Sequence, residues 1–258
     1  MRRSNRHAKQ TKNSRWPLVI GSFIFLAFSF LAFVYYKVAT LDKFIYVDRT
    51  EVGDAEIIIV DSDEGSVLKY LVPADTELSS SQGYGNYKLS SLWILSEKDT
   101  SEGKIVSDTL MKNYNIPIYN WKDGSKSNLN FFQRIKAFLI GLQNLSVSEV
   151  FDNNNLSNSI LINFLDSDIS DNQLKIEIDD LTGSYSALDF VSKTVEVLGA
   201  KVSSNSKGYD KDLDCIVSGK NILYVAKIAN IFSCSQEIDE STNSDLKIKL
   251  GAKFVQRI

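Results

Sequence analysis

A chain of 258 residues with 43% hydrophobic and 24% charged content lies close to the globular average and has room for one large domain or two ordinary ones. Its net charge of -3 conceals a segregation. Residues 1–16 carry Arg2, Arg3, Arg6, Lys9, Lys12 and Arg15 without an acid, leaving 23 basic against 32 acidic residues, or -9, in the remainder, which argues against a nucleic-acid partner for the folded part.

Residues 17–36 are twenty in a row without a formal charge. At 1.5 Å of rise per residue they span roughly 30 Å, the thickness of a bilayer's hydrocarbon core, which predicts a transmembrane helix. Trp16, Tyr35 and Tyr36 suit the two water-lipid interfaces, and Arg15 and Lys37 reach outward from them. The basic residues ahead of the helix place the N-terminus in the cytosol and the bulk of the chain outside the cell. The apolar run exceeds that of a cleaved signal peptide and no small-x-small site follows, so the expected anchor is single-pass and retained. The lone His7 falls in the cytosolic tail, which excludes a Ser-His-Asp triad, a Cys-His pair and any histidine-bearing zinc site from the exported part.

Beyond the anchor, 44–47 and 57–60 read as short strands, and 67–72 follows across the turn-forming Asp61-Ser-Asp-Glu-Gly65 as the second arm of a hairpin ended by Pro73. Leu89, Leu92, Trp93 and Leu95 have the spacing of one helix face, and a second helix fits 105–114. Residues 122–130 are a loop by composition. Residues 131–142 again have helical spacing, with Arg134 and Lys136 opposite the apolar side; core packing is favoured there over rest on a membrane surface. Residues 152–159, rich in Asn and Ser, read as a loop or linker.

A different pattern begins near residue 166. Residues 174–178 alternate as a strand, 182–184 turn, and Tyr185, Leu188, Val191, Val195 and Leu198 make a helical stripe ending at Gly199. Strands follow at 201–203 and 214–217, a helix at 222–232 and a last strand at 246–250. The order β-α-β-β-α-β implies a small sandwich with both helices on one sheet face. The expected organisation is a basic tail (1–16), the transmembrane helix (17–36), an α/β domain (37–165) and the small sandwich (166–258). Cys215 and Cys234 both fall in the exported part, where a disulfide is chemically allowed. Their spacing leaves pairing open, and two buried free thiols are the favoured reading. Asp166, Asp168, Ser170, Asn172 and Glu177 partly follow a calcium-loop spacing, but Asp171 stands where glycine is needed and a strand follows, so the pattern is set aside. Ser184 reads as a helix N-cap, not a phosphate loop.

Three stretches of the first domain, 54–60 (Asp-Ala-Glu-Ile-Ile-Ile-Val), 71–76 (Leu-Val-Pro-Ala-Asp-Thr) and 83–92 (Gly-Tyr-Gly-Asn-Tyr-Lys-Leu-Ser-Ser-Leu), resemble the opening of the LytR-CpsA-Psr domain. Three more, 176–183 (Ile-Glu-Ile-Asp-Asp-Leu-Thr-Gly), 197–202 (Val-Leu-Gly-Ala-Lys-Val) and 248–254 (Ile-Lys-Leu-Gly-Ala-Lys-Phe), are similar to the small LytR C-terminal domain that commonly follows it. The resemblance implies an exported, membrane-anchored α/β domain that moves a glycopolymer from a polyprenyl-pyrophosphate lipid onto the bacterial cell wall. In that family arginines clamp the pyrophosphate, because the planar guanidinium donates two parallel hydrogen bonds. Here Ala74-Asp75 stands where the family has Arg-Asp, and Arg134 is the single arginine between residues 100 and 165. Asp54 and Asp75 fall where the family keeps acids that help bind a divalent cation. The resemblance thus implies Mg2+ at Asp54 and Asp75, with Asp75 the candidate catalytic residue, whereas acids beside Pro, Thr and Gly by themselves favour turns. Tyr84, Tyr87 and Lys88, with Gly83 and Gly85, offer a groove for a lipid or glycan, although a plain loop over the hairpin is favoured.

The expected protein is therefore a degenerate, noncatalytic member of the cell envelope that uses no cofactor and binds an envelope partner, a lipid carrier or a wall glycopolymer. The competing expectation is an active phosphotransferase in which Lys88 or Arg134 replaces the missing arginines.

Overall fold

A computed structural model of the chain describes residues 16–61, 65–99, 101–141, 149–151 and 158–258. The chain divides into two compact units, Met1–Leu41 and Asp42–Ile258. The first is built on α1 (Trp16–Ala39), 24 residues long and so about 36 Å at helical rise. It runs three residues past the expected end at Tyr36, and Phe23, Phe25 and Phe28 along it are exposed. Over Val19–Ala39 it is long and apolar enough to cross a membrane.

The second unit opens with β1 (Phe44–Arg49), β2 (Ala55–Asp61), β3 (Ser66–Val72), β4 (Glu77–Ser79), β5 (Asn86–Lys88), α2 (Leu89–Lys98), α3 (Lys104–Tyr114), β6 (Asn120–Asp123), β7 (Lys126–Ser127), α4 (Phe131–Gly141) and β8 (Glu149–Val150). It continues through α5 (Asn158–Leu161), α6 (Ser167–Asp171), β9 (Lys175–Asp180), α7 (Tyr185–Val197), β10 (Lys201–Lys207), β11 (Cys215–Gly219), α8 (Ile222–Phe232), β12 (Ser235–Ile238), β13 (Leu246–Leu250) and α9 (Ala252–Arg257). A six-stranded sheet has the order β7-β6-β1-β2-β3-β8, a five-stranded sheet the order β10-β9-β13-β11-β12, and β4 and β5 pair by themselves.

Period-two alternation sets the faces of the first sheet. Ile45 and Val47 of β1 and Ile57 and Ile59 of β2 point into a core with Leu89, Leu92 and Trp93 of α2 and Ile105, Val106 and Leu110 of α3. The intervening Tyr46, Asp48, Glu56 and Ile58 line a cleft shared with Ala137 and Ile140 of α4. In the second sheet, Ile176 and Ile178 of β9 and Leu246, Ile248 and Leu250 of β13 pack on Val191 and Val195 of α7 and Val225 and Ile228 of α8. The opposite face is charged: Lys247 on β13 meets Glu177 at 2.7 Å and Asp179 at 2.8 Å. Met111 of α3 belongs to this second core while Val197 of α7 packs on the first, so both sheets lie within one unit.

Several expectations change. Residues 122–130 are not a loop throughout, because β6 and β7 form a hairpin there and β6 runs parallel to β1, Tyr46 opposite Asn120. Its polar, two-to-four-residue strands carry no alternation to read; pairing with β1 decides them. The C-terminal order is β-α-β-β-α-β-β-α, since β12 adds an edge strand parallel to β11, all four of its residues exposed, and α9 follows the last strand. Of the linker 152–159, residues 158 and 159 begin α5, and 152–157 lie outside the described residues.

Cys215 and Cys234 form a disulfide with 5.0 Å between their Cα atoms, which overturns the reading of two free thiols. Helix α8 returns the chain beside β11, so that Ser235 faces Ile216, a proximity that a spacing of 19 residues does not reveal. Ser184 occupies the N-cap position of α7, but its hydroxyl makes no capping bond. It sits 2.8 Å from the Ser186 hydroxyl, while Thr182 Oγ1 accepts the Ser184 amide at 2.9 Å.

Candidate functional site

The two acids singled out in the sequence have separate surroundings. Asp54 Oδ1 accepts the Ala74 amide at 2.7 Å, and the Asp54 amide donates to Thr50 Oγ1 at 3.0 Å. This carboxylate staples the β1–β2 turn to the turn after β3. Asp75 is exposed within that second turn, which the Thr76 amide closes onto the Pro73 carbonyl at 3.0 Å. The first amides of α2, from Leu89 and Ser90, donate to the carbonyls of Thr76 and Ala74. These helix-end donors are therefore already satisfied locally. No cluster of three or more Asp, Glu, His or Cys fit to hold a metal ion occurs among the described residues.

Tyr84, Tyr87 and Lys88 lie on the β4–β5 hairpin, where Tyr87 opposes Leu78 and Lys88 opposes Glu77. All three are exposed, and none lines either cleft described next.

The first cleft, of about 400 Å3, lies between the outer face of the first sheet and α4. Its apolar wall is Ile58, Ala137, Phe138 and Ile140, and its polar wall includes Lys69, Lys122 and Arg134. Those cations are engaged. Lys69 meets Glu56 at 3.2 Å and Lys122 meets Asp48 at 2.6 Å. Arg134 donates from Nε to the Leu129 carbonyl at 2.8 Å and from Nη2 to the Ser127 carbonyl at 2.7 Å, bracing the chain ahead of α4. Burial raises the Asp48 pKa above the usual carboxylate range, and Lys122 only partly counters it. Burial, then the charges of Asp48 and Glu56, raise the Tyr46 phenol well beyond its ordinary value, so it stays neutral.

A second cleft, of about 380 Å3, is walled by carboxamides: Asn120, Asn128, Asn130 and Gln133 from the first sheet's side and Asn230 from the end of α8, with Lys104, Tyr119 and Ser233. The sequence builds it from turn and cap chemistry. Asn128 Oδ1 accepts the Trp121 amide at 2.8 Å and its Nδ2 donates to the Tyr119 carbonyl at 2.9 Å, closing the β6–β7 hairpin. Asn130 and Gln133 bond each other's backbone amides at 2.9 and 3.0 Å, a reciprocal cap at the start of α4. Each uses its oxygen there, which leaves Asn130 Nδ2 and Gln133 Nε2 as further donors among the residues that line the cleft. Lys104 is neutralised by Asp108 at 2.7 and 2.9 Å. Burial raises the Asp108 pKa while Lys104 draws it down.

The second cleft escaped sequence reasoning, which dismissed 122–130 as a loop. A signal was present, since Asn130-x-x-Gln133 has capping-box spacing ahead of a helix. The contribution of Asn230, one hundred residues further on, carries no local sign.

No protein-family model matches this chain, and no curated protein or solved structure matches it either.

Proposed function

We propose that this is a single-pass membrane protein whose outer unit holds a wall glycopolymer, or its lipid-linked precursor, without transferring it. The observation that carries this reading is the carboxamide cleft. Amides and sugar hydroxyls each donate and accept hydrogen bonds without net charge, and pairing of Lys104 with Asp108 leaves the lining suited to a neutral polyol. The resemblance of 52–92 to the opening of a LytR-CpsA-Psr domain, and of most of 166–258 to its C-terminal companion, points to the same class of ligand.

Export is supported by the basic tail ahead of α1 and by the Cys215–Cys234 disulfide, since disulfides persist in oxidising compartments. The noncatalytic reading is supported by the bonding around the expected clamp. Asp54 is held by Ala74, and Arg134 is spent on two carbonyls.

Isothermal titration of the full chain, in a zwitterionic detergent without a sugar headgroup, with chitotriose and maltotriose tests the proposal. Binding of at least one, with Kd on the order of 1 mM, should weaken about fivefold or more in Asn230→Ala, the loss of one or two hydrogen bonds. No heat from either sugar, or affinity indifferent to Asn230, would sink it. An active transferase would instead show Mg2+-dependent binding of a polyprenyl pyrophosphate that collapses in Asp75→Ala; binding unchanged by that substitution counts against transfer. A reporter enzyme fused behind Ile258 should be active outside the cell, and activity only inside would overturn the topology.

A further inference from the structure

Helix α4 has the composition of a buried helix in an exposed place. Its eleven residues, Phe-Phe-Gln-Arg-Ile-Lys-Ala-Phe-Leu-Ile-Gly, contain no acid. Ala137 and Ile140 are buried, and at about 100° per residue they mark one side of the helix. The opposite side is also apolar yet open to solvent: Phe131 is 59% exposed, Phe138 66% and Leu139 45%. Arg134 and Lys136 fall on the two flanks of that outer stripe. A helix apolar on both sides is ordinarily enclosed, so the outer stripe of α4 calls for a partner.

We infer that the outer face of α4 lies in the headgroup region of the bilayer, with Phe131, Phe138 and Leu139 entering the acyl boundary and Lys136 facing anionic lipid phosphates, while Arg134, held by the Leu129 and Ser127 carbonyls, adds its positive charge on the other flank. Three observations select a bilayer over a protein. The stripe flanked by two cations is the arrangement of helices that lie in a membrane interface. The positive charge stands out against a chain that is acidic beyond residue 16, at -9, which is the complement of an anionic surface. Helix α1 is long and apolar enough to cross a membrane, and such a tether keeps a lipid surface at high effective concentration. Because Phe138 also lines the cleft between α4 and the first sheet, a docked α4 sets that cleft beside the lipids. The inference rests on the anchor in the proposed function and is independent of the glycan cleft.

The test uses the full chain in phosphatidylcholine vesicles with about one-third phosphatidylglycerol. Both native cysteines are in the disulfide, so a bimane label attaches only at an introduced thiol, Leu139→Cys or Phe131→Cys, with exposed Glu240→Cys as the control. Lipids brominated near the start of the acyl chain should quench positions 139 and 131 at least about twofold more than position 240, as expected for insertion by 5–10 Å. Lys136→Glu should reduce that quenching severalfold in anionic vesicles and less in neutral ones. Equal quenching at 139, 131 and 240 would overturn the inference. So would label-to-label self-quenching that rises with protein density without a bromolipid effect, which would mean that a second copy covers the stripe. Flotation reads the anchor separately, and failure to float with the vesicles would remove anchor and inference together.

Discussion

Lys227 of α8 grips Asp166 with contacts of 2.8 and 2.7 Å to the two carboxylate oxygens, and touches Asp168 at 2.9 Å. Asp166 also caps α6 by accepting the Ile169 amide at 3.2 Å, so one carboxylate starts a helix and ties it to another. Burial opposes the Lys227 charge, but the bonds that it donates to Asp166 and Asp168 prevail and raise its pKa. The Asp166 side chain is 12% exposed and that of Asp168 59%. Asp166→Ala should therefore cost about 2 kcal/mol, combining a lost cap with a half-broken, largely buried pair. Asp168→Ala should cost under about 1 kcal/mol. Urea melts of the two variants check the order, and equal losses would contradict the assignment.

The disulfide joins β11 to the chain just after α8 and closes a 19-residue separation. Replacing both cysteines by serine should lower stability by about 3 kcal/mol through the freedom returned to the unfolded chain. A thermal melt with and without reductant checks it: the wild type should shift and the double variant should not.

Gly251 is required by close packing, not by its backbone angles, which lie in the extended region at φ -112° and ψ 177°. A Cβ there would sit 2.1 Å from the Leu213 carbonyl oxygen and 2.5 Å from its carbonyl carbon. Backbone cannot rotate away as a side chain does, so Gly251→Ala should destabilise by about 3 kcal/mol or more. A chemical melt showing less than about 1 kcal/mol would refute the contact.

The charged face of the second sheet gives a pH signature. Burial disfavours the Asp179 carboxylate, but hydrogen bonds from Lys247 and from Ser206 at 2.8 Å outweigh it and hold the pKa below the usual range. Stability from a depressed carboxylate is present above its unfolded value of about 3.9 and is lost as pH falls through the folded value. Asp179→Asn should therefore cost about 1 kcal/mol at neutral pH, because the pair is partly buried but Lys247 keeps Glu177 as its other partner. The difference from wild type should close in the acid range below about pH 3.9. A gap that widened there would reverse the sign.

Much of the scaffold was legible. Helix α8 matches its expected bounds, and the hairpin of β2 and β3 follows from two short apolar runs on either side of Asp61-Ser-Asp-Glu-Gly65. Strong local periodicity marks elements that bury one face of their own. Strands β4, β5, β6, β7 and β12 were missed because they are two to four residues long and mostly polar, and their order comes from a neighbouring strand. The candidate site suffered the same way: Asp54 and Asp75 were singled out by the family resemblance, while the carboxamide cleft needs residues from 104 to 233 brought together.

By itself, the order of residues determined the apolar segment, the charge asymmetry around it, the absence of histidine beyond His7 and the alternating and helical faces, since each depends on neighbours within a few positions. Tertiary structure alone decided that Cys215 meets Cys234, that Asp54 holds Ala74, that Arg134 is spent on carbonyls and that Asn230 and Asn130 line one cleft. Those facts depend on how two sheets and their helices pack, and packing energy is summed over contacts that no short window of sequence contains.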